Sequence, residues 1–173
     1  MTSFSLRIRL ESPDDNDTVE NLAAEAFGPG RFARAAFRLR EGVPHEPSLS
    51  FVAMMAGAEG EREELAGSVR LTRIRIGADT ALVLGPLIVA RSRKNLGIGR
   101  ELMHRSMLEA GRAGHRLVIL VGDEPYYGKF GFRKVPPGRI TLPGPADPQR
   151  ILYCELVPGG LGETRGAASR FVQ

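Results

Sequence analysis

The sequence contains no tryptophan and a single cysteine, Cys154. One cysteine excludes an internal disulfide and any metal site built from several thiolates. The three histidines, His45, His104 and His115, lack metal-ligand spacing, so no metal is expected. No apolar run approaches the roughly 18 residues of a membrane span. The opening residues, MTSFSLRIRLE, alternate polar and apolar and lack the apolar block of a signal peptide, so export is not expected. Internal repeats, low-complexity tracts and a dividing linker are absent as well. These absences point to a cytoplasmic chain with no membrane partner.

What is present is ordinary for a globular domain: 42% hydrophobic and 25% charged residues in a chain of 173. That length suffices for one domain with a proper core. The net charge is +4, but the 24 basic residues are scattered and aromatics make up only 6%. A nucleic-acid site needs clustered charge interleaved with aromatics, so a lightly basic surface is the better reading and no nucleic acid is expected.

The chain alternates between strand and helix patterns. SFSLRIRLE, residues 3–11, has the period of a strand. Val19, Leu22, Ala23, Ala26 and Phe27 share one helical face, and GPG at 28–30 stops that helix. A second helix is expected from Arg31 to Arg40, with Phe32, Ala36 and Leu39 on one side. LSFVAMM reads as a strand, AGAEGEREE (56–64) as a polar hairpin loop, and LAGSVRLTRIRIG and ADTALVLGPLIVA as further strands. A helix follows from Gly97 to Gly114, then the apolar strand HRLVILVGD, a short helix at PYYGKFG, and strands at FRKV and RILYCELV. The expected order is β-α-α-β-β-β-α-β-α-β-β, an α/β fold with a central mixed sheet flanked by helices. Residues 1–157 make the domain and 158–173 a Gly-rich C-terminal tail. The oligomeric state stays open, with a homodimer packed through that tail as one option.

The stretch KNLGIGRELM places Gly97 and Gly99 at the mouth of a helix beside Lys94 and Arg100. A helix N-terminus offers unpaired N–H groups and a positive dipole end, and glycine lets a phosphate reach them. The stretch is neither a dinucleotide fingerprint, since Leu102 stands where a third glycine belongs, nor a Walker loop. Taken alone it reads equally well as a tight turn with close helix–strand packing. The preceding strand, LVLGPLIV, adds to it. Proline sits poorly in a central ladder, so Gly85-Pro86 predicts a kink that splays this strand from its neighbour. The freed backbone groups could pair with an amide-bearing ligand arm. A pyrophosphate at the helix mouth with such an arm along the strand has the shape of coenzyme A.

At these residues the chain resembles the GNAT superfamily of N-acetyltransferases, in its YhbS-like branch. The family pattern Arg/Gln-x-x-Gly-x-Gly/Ala is matched by Lys94-Asn95-Leu96-Gly97-Ile98-Gly99, with Lys94 in place of the usual Arg or Gln. The later Y-x-x-x-G-F is matched by Tyr127-Gly128-Lys129-Phe130-Gly131-Phe132. The resemblance implies a GNAT-like acyl-CoA N-acyltransferase fold and acetyl transfer from acetyl-CoA to a primary amine of a small molecule or protein. It implies that Leu87, Ile88 and Val89 meet the cosubstrate along the kinked strand. Lys94, Asn95, Leu96, Gly97, Ile98, Gly99 and Arg100 would then cradle its phosphates. Tyr127 would give a proton to the departing thiolate. Other readings are a non-catalytic acyl-CoA-binding module, which would not need Tyr127, and, further off, a basic nucleic-acid-binding protein.

The remaining candidates have plainer readings. Tyr127 could be an aromatic packed on Phe130 and Phe132, and Tyr126 reads as the more structural of the pair. A general base is not legible; Asp123, Glu124, Glu25, Glu155 and His45 are candidates, each also readable as a surface group or cap. Cys154 could relay an acetyl group, but reads better as a small buried strand residue. Arg31, Arg34 and Arg38 fall in a helical row that could meet an anionic acceptor or simply face water.

Overall fold

Alternation in SLRIRL makes the first strand, β1 (Ser5–Leu10). The computed structural model describes residues 5–56, 60 and 62–172. The expected start of the first strand at residues 3 and 4, and residues 57–59 and 61 of the expected hairpin loop, lie outside the described residues. After β1 come α1 (Asn16–Phe27), α2 (Ala35–Arg40), β2 (Phe51–Ala56), β3 (Glu64–Ile76) and β4 (Asp79–Val89). The second half holds α3 (Ile98–Arg112), β5 (Leu117–Val121), α4 (Glu124–Tyr127), β6 (Arg133–Lys134), β7 (Ile140–Thr141), β8 (Ile151–Glu155) and β9 (Gly166–Arg170). The expected order is present, with β7 and β9 added to it.

Strand neighbours run β1-β2-β3-β4-β5-β8-β6, and β9 pairs with both β3 and β7. β4 and β5 are parallel, whereas β1 to β4 pair antiparallel in sequence and β5 pairs antiparallel with β8. The sheet is therefore mixed. Apolar side chains fill both of its faces. Val118 and Leu120 of β5 join one core cluster, with Ile98, Leu102 and Met103 of α3. Leu117 and Ile119 join the other, with Leu39 of α2 and Ala168 of β9. That alternation explains why β5 reads as nearly continuous apolar sequence: each face of the strand is covered.

Two segments differ from the sequence expectation. The helix expected over 31–40 is split. Pro29 opens a short 3₁₀ turn through Ala33, Arg34 turns extended (ψ 143°), and α-helix begins only at Ala35. Proline suits the first position of such a turn, and no capping side chain at Arg34 extends the following helix backward. Arg31, Arg34 and Arg38 therefore do not form one helical row. In the segment read as a Gly-rich tail, Gly166–Arg170 forms β9, whose residues Ala168–Arg170 pair with Ile74–Ile76 of this same chain.

The kink expected at Gly85-Pro86 is a β-bulge. Val69 pairs with Leu87 and Leu71 with Leu84, so Gly85 and Pro86 together oppose the single residue Arg70. Arg70 reaches back across α1. Its Nε and an Nη bind the two carboxylate oxygens of Glu11 at 3.0 and 2.9 Å, and its other Nη binds Glu20 at 3.0 Å. Glu11, just beyond β1, is buried, and His45 Nε2 also lies 3.1 Å from its carboxylate. Burial alone would raise the Glu11 carboxyl, but hydrogen bonds from His45 and Arg70 outweigh it and leave it below its ordinary value. Removing one partner of a buried pair strands the other. Glu11→Ala is expected to lower the unfolding free energy by about 3 kcal/mol in urea titration at pH 7. A loss under about 1 kcal/mol would show that the pair does not hold the bulge in place.

Candidate active site

The bulge changes what β4 can pair with. Before it, Leu82 and Val83 pair with Val118 and Ile119 of β5. After it, Leu87, Ile88 and Val89 stay paired to Val69, Ser68 and Gly67 of β3, but their pairing to β5 has ended. One edge of β4 is thereby open to a ligand. The splay expected from Gly85-Pro86 is present.

Two cavities meet at this opening. One, of about 550 Å³, runs from Leu87, Ile88 and Val89 to Arg91, Lys94, Asn95, Gly97, Ile98, Gly99 and Arg100 at the start of α3. The other, of about 650 Å³, lies between α1, α2, the bulge and the end of β5. Phe27, Leu87 and Tyr126 line both. Leu96, expected in the cradle, is 42% exposed and is not part of the cavity lining.

The start of α3 suits an anion. No side chain caps it, so its first N–H groups keep no partner from a capping residue. Asn95 (φ 66°) and Gly97 (φ 81°) are both left-handed, a conformation that lets neighbouring N–H groups converge on one side. Gly99 is buried, and a Cβ there would stand 2.8 Å from the Tyr126 hydroxyl and 3.6 Å from Val89. A side chain there would have to displace the Tyr126 ring, so glycine suits the place where helix, strand and tyrosine meet. Uncapped N–H groups, a tight glycine and nearby cations fit a pyrophosphate.

The tyrosines sit on α4, edge to face with ring centroids 4.9 Å apart. Tyr127 packs against the core and against Phe132, and its ring occupies the space a side chain at Gly122 would fill. Burial, first, and then Tyr126 and Asp123 push its hydroxyl up to about 12, with Arg150 opposing. Tyr126 is 38% exposed and lies between the two cavities. The sequence reading gave Tyr126 the more structural role; the structure makes it the less buried of the two and places its hydroxyl at the helix mouth.

Comparison with known proteins shows what this fold is similar to. No family model matches the sequence. The uncharacterized N-acetyltransferase YhbS of Escherichia coli K12 is 25% identical over 127 residues, spanning 72% of this chain and 72% of that protein. The crystal structure of E. coli YhbS, a GNAT family N-acetyltransferase in complex with CoA, superposes with a TM-score of 0.76. That match has 20% identity and covers 98% of this chain and 91% of the other. A GNAT family acetyltransferase from Brucella melitensis in complex with acetyl-CoA gives 0.59 at 26% identity, covering 86% and 94%. The chain has the GNAT fold and is YhbS-like.

Within this GNAT fold the remaining candidates fall in different places. Of the five proposed bases, Glu25 is exposed on α1 and lines neither cavity, while Asp123 lines the larger one, and Arg150 Nε holds its carboxylate at 3.1 Å. Glu124 accepts a bond from the Lys134 N–H, Glu155 pairs with Arg133, and His45 pairs with Glu11. Glu20 and Asp147 also line that cavity. Neither carries a local sequence signal, because only the tertiary fold brings α1 and the loop before β8 to the bulge. Arg31 and Arg34 reach the cavity and Arg38 does not, whereas Arg40 and Arg70 do. Cys154 is buried behind Phe130 and Gly131, outside both cavities, and burial raises its thiol.

Gly99→Val would drive a branched side chain against the Tyr126 hydroxyl and into the phosphate approach. It is expected to weaken acetyl-CoA binding at least tenfold, about 1.4 kcal/mol. Calorimetric titration checks this, with circular dichroism confirming a folded variant; unchanged affinity would remove the cradle assignment.

Proposed function

We propose that this chain is an acetyl-CoA-dependent N-acetyltransferase that acts on a primary amine of a small molecule or protein. The observation that carries the reading is the meeting of two cavities at the bulge. The smaller leads to the uncapped mouth of α3, and the larger opens toward α1 and α2. Cosubstrate in the first and acceptor in the second bring thioester and amine together at Leu87. The single cysteine and the absence, among the described residues, of a helix able to cross a membrane support a cytoplasmic setting.

Bound acetyl-CoA supplies the thioester whose acetyl group is transferred. The residues then have divided tasks. Lys94, Arg100 and the amides at Gly97 to Gly99 hold the phosphates. The open edge of β4 over Leu87 to Val89 pairs with the amide-bearing arm and offers N–H groups to the acetyl oxygen as it gains negative charge. The amine attacks in its neutral form, because a protonated amine has no lone pair. The carboxylates of the acceptor cavity are occupied: Asp123 by Arg150, Glu20 by Arg70, and Asp147 by the Gln149 N–H. We therefore assign removal of the amine proton to water in the cavity. Tyr127 donates to the departing thiolate.

Tyr127→Phe keeps the ring that fills the space beside Gly122 and removes the hydroxyl. The expected result is a fall of about 10² in kcat, with acetyl-CoA affinity little changed. Tyr126→Phe is expected to cost less. Steady-state rates with saturating amine decide between them. The reverse order would move the acid to Tyr126, a reading favoured by its position between the two cavities.

The pH profile is a separate check. A donor is active below its pKa and lost above it. With the Tyr127 hydroxyl pushed up to about 12, its falling limb lies beyond the working range. Meanwhile the neutral amine fraction grows with pH. kcat/KM is therefore expected to rise through the amine pKa with no downturn before about pH 10. A downturn near pH 8 that persists in Tyr127→Phe would place the proton donor on another group and contradict the assignment.

A further inference from the structure

The larger cavity contains more positive charge than its own carboxylates neutralise. Five arginines and three carboxylates line it. The carboxylates are committed as described above, two to arginines and one to a backbone N–H. Arg40, the last residue of α2, is in a different position. Its Nε donates to the Ala36 carbonyl at 3.1 Å, one turn back, and its guanidinium lies 5.8 Å from the Phe37 ring centre. Among the described residues, no carboxylate forms an ion pair with it.

Among charged groups, it feels a like charge, Arg70, more strongly than the carboxylate of Glu20. Burial, and then Arg70, lower its guanidinium to about 10, with Glu20 offsetting part of this; it is still a cation at neutral pH. Arg34 lies on the same wall, with its guanidinium 5.1 Å from the Phe27 ring centre. Arg34 is exposed, whereas Arg40 is half-buried. Here Arg40 is drawn into a cavity whose other end is the bulge and Tyr127.

A cation drawn partly out of water without a counter-ion costs free energy that a bound anion recovers. A guanidinium is also the side chain best shaped to hold an oxyanion by two parallel hydrogen bonds. We infer that the acceptor cavity recognises an amine that also carries an oxyanion, a carboxylate or a phosphate, seated against Arg40 and Arg34. This rests on the acetyl-transfer reading above and adds the chemical class of the acceptor. The oxyanion would anchor the far end of the molecule and point its amine at Leu87. Binding energy far from the reacting atoms is thereby spent on orientation.

Two measurements test this. The first compares matched amines, glycine with glycinamide and phosphoethanolamine with ethanolamine, as kcat/KM per free amine, read by thiol release. At least one anionic member is expected to be favoured tenfold or more, and the pair that shows it tells carboxylate from phosphate. Arg40→Met is expected to remove the preference and Arg40→Lys to keep part of it. Equal kcat/KM within both pairs overturns the inference. The second titrates inorganic phosphate into protein saturated with coenzyme A, so that the helix mouth is already filled. Arg40→Met is expected to weaken phosphate at least fivefold while coenzyme A affinity holds. Equal phosphate affinity in wild type and variant also overturns it. If no amine is acetylated, the acetyl-transfer reading falls; the phosphate titration, run on the free protein if coenzyme A does not bind, still decides the inference.

Discussion

The site depends on one irregularity in hydrogen bonding: two residues of β4, Gly85 and Pro86, set against one residue of β3, Arg70. A regular ladder would carry β4 alongside β5 to its end and leave no edge for a ligand. The bulge stops that pairing after Val83. It also gives the cavities their shared wall at Leu87 and turns Arg70 toward α1. The Glu11–Arg70–Glu20 contacts then fix the loop after β1, the bulge and α1 relative to one another. The local backbone device and the buried ion pair thus act together. One makes the opening, and the other holds the helix that borders it.

Charge is distributed unevenly around that opening. On the cosubstrate side, the positive groups are a helix mouth and side chains near the surface, suited to phosphates that stay partly in water. On the side assigned to the acceptor, Arg40 and Arg70 are half-buried, and Arg70 and Arg150 hold carboxylates of the cavity. Between the two lies an apolar and aromatic neck of Phe27, Leu87 and Tyr126. In the proposed reaction, a neck of that kind would limit water beside the tetrahedral oxyanion and strengthen each N–H directed at it.

Much of this is legible in the sequence wherever the signal is local. Alternation marks β1 and β3, helical spacing marks α1 and α3, and Gly85-Pro86 marks the bulge because proline has no ladder N–H to give. Gly97 and Gly99 mark the helix mouth for the same kind of reason. What the sequence does not reveal depends on partners distant in the chain. Arg34 breaks the second helix because of the turn begun at Pro29, although composition alone favours one continuous helix. β9 looks like a Gly-rich tail because its pairing surface is the end of β3, about 90 residues earlier in the chain. Arg40 has no distinguishing neighbour in sequence; its importance comes from enclosure and from the proximity of Arg70. The order of burial of Tyr126 and Tyr127 likewise follows from the room left at Gly122, which no spacing encodes.

The central claim is that the edge of β4 freed by the bulge, together with the mouth of α3, is where acetyl-CoA binds. Amide hydrogen exchange with and without coenzyme A tests it directly. The amides of Leu87 to Val89 that do not pair with β3, and those of Ile98 to Arg100, are expected to slow on binding, while β1 and β2 exchange unchanged. Coenzyme A that binds and slows exchange elsewhere, leaving 87–89 and 98–100 as fast as in the free protein, would contradict the account.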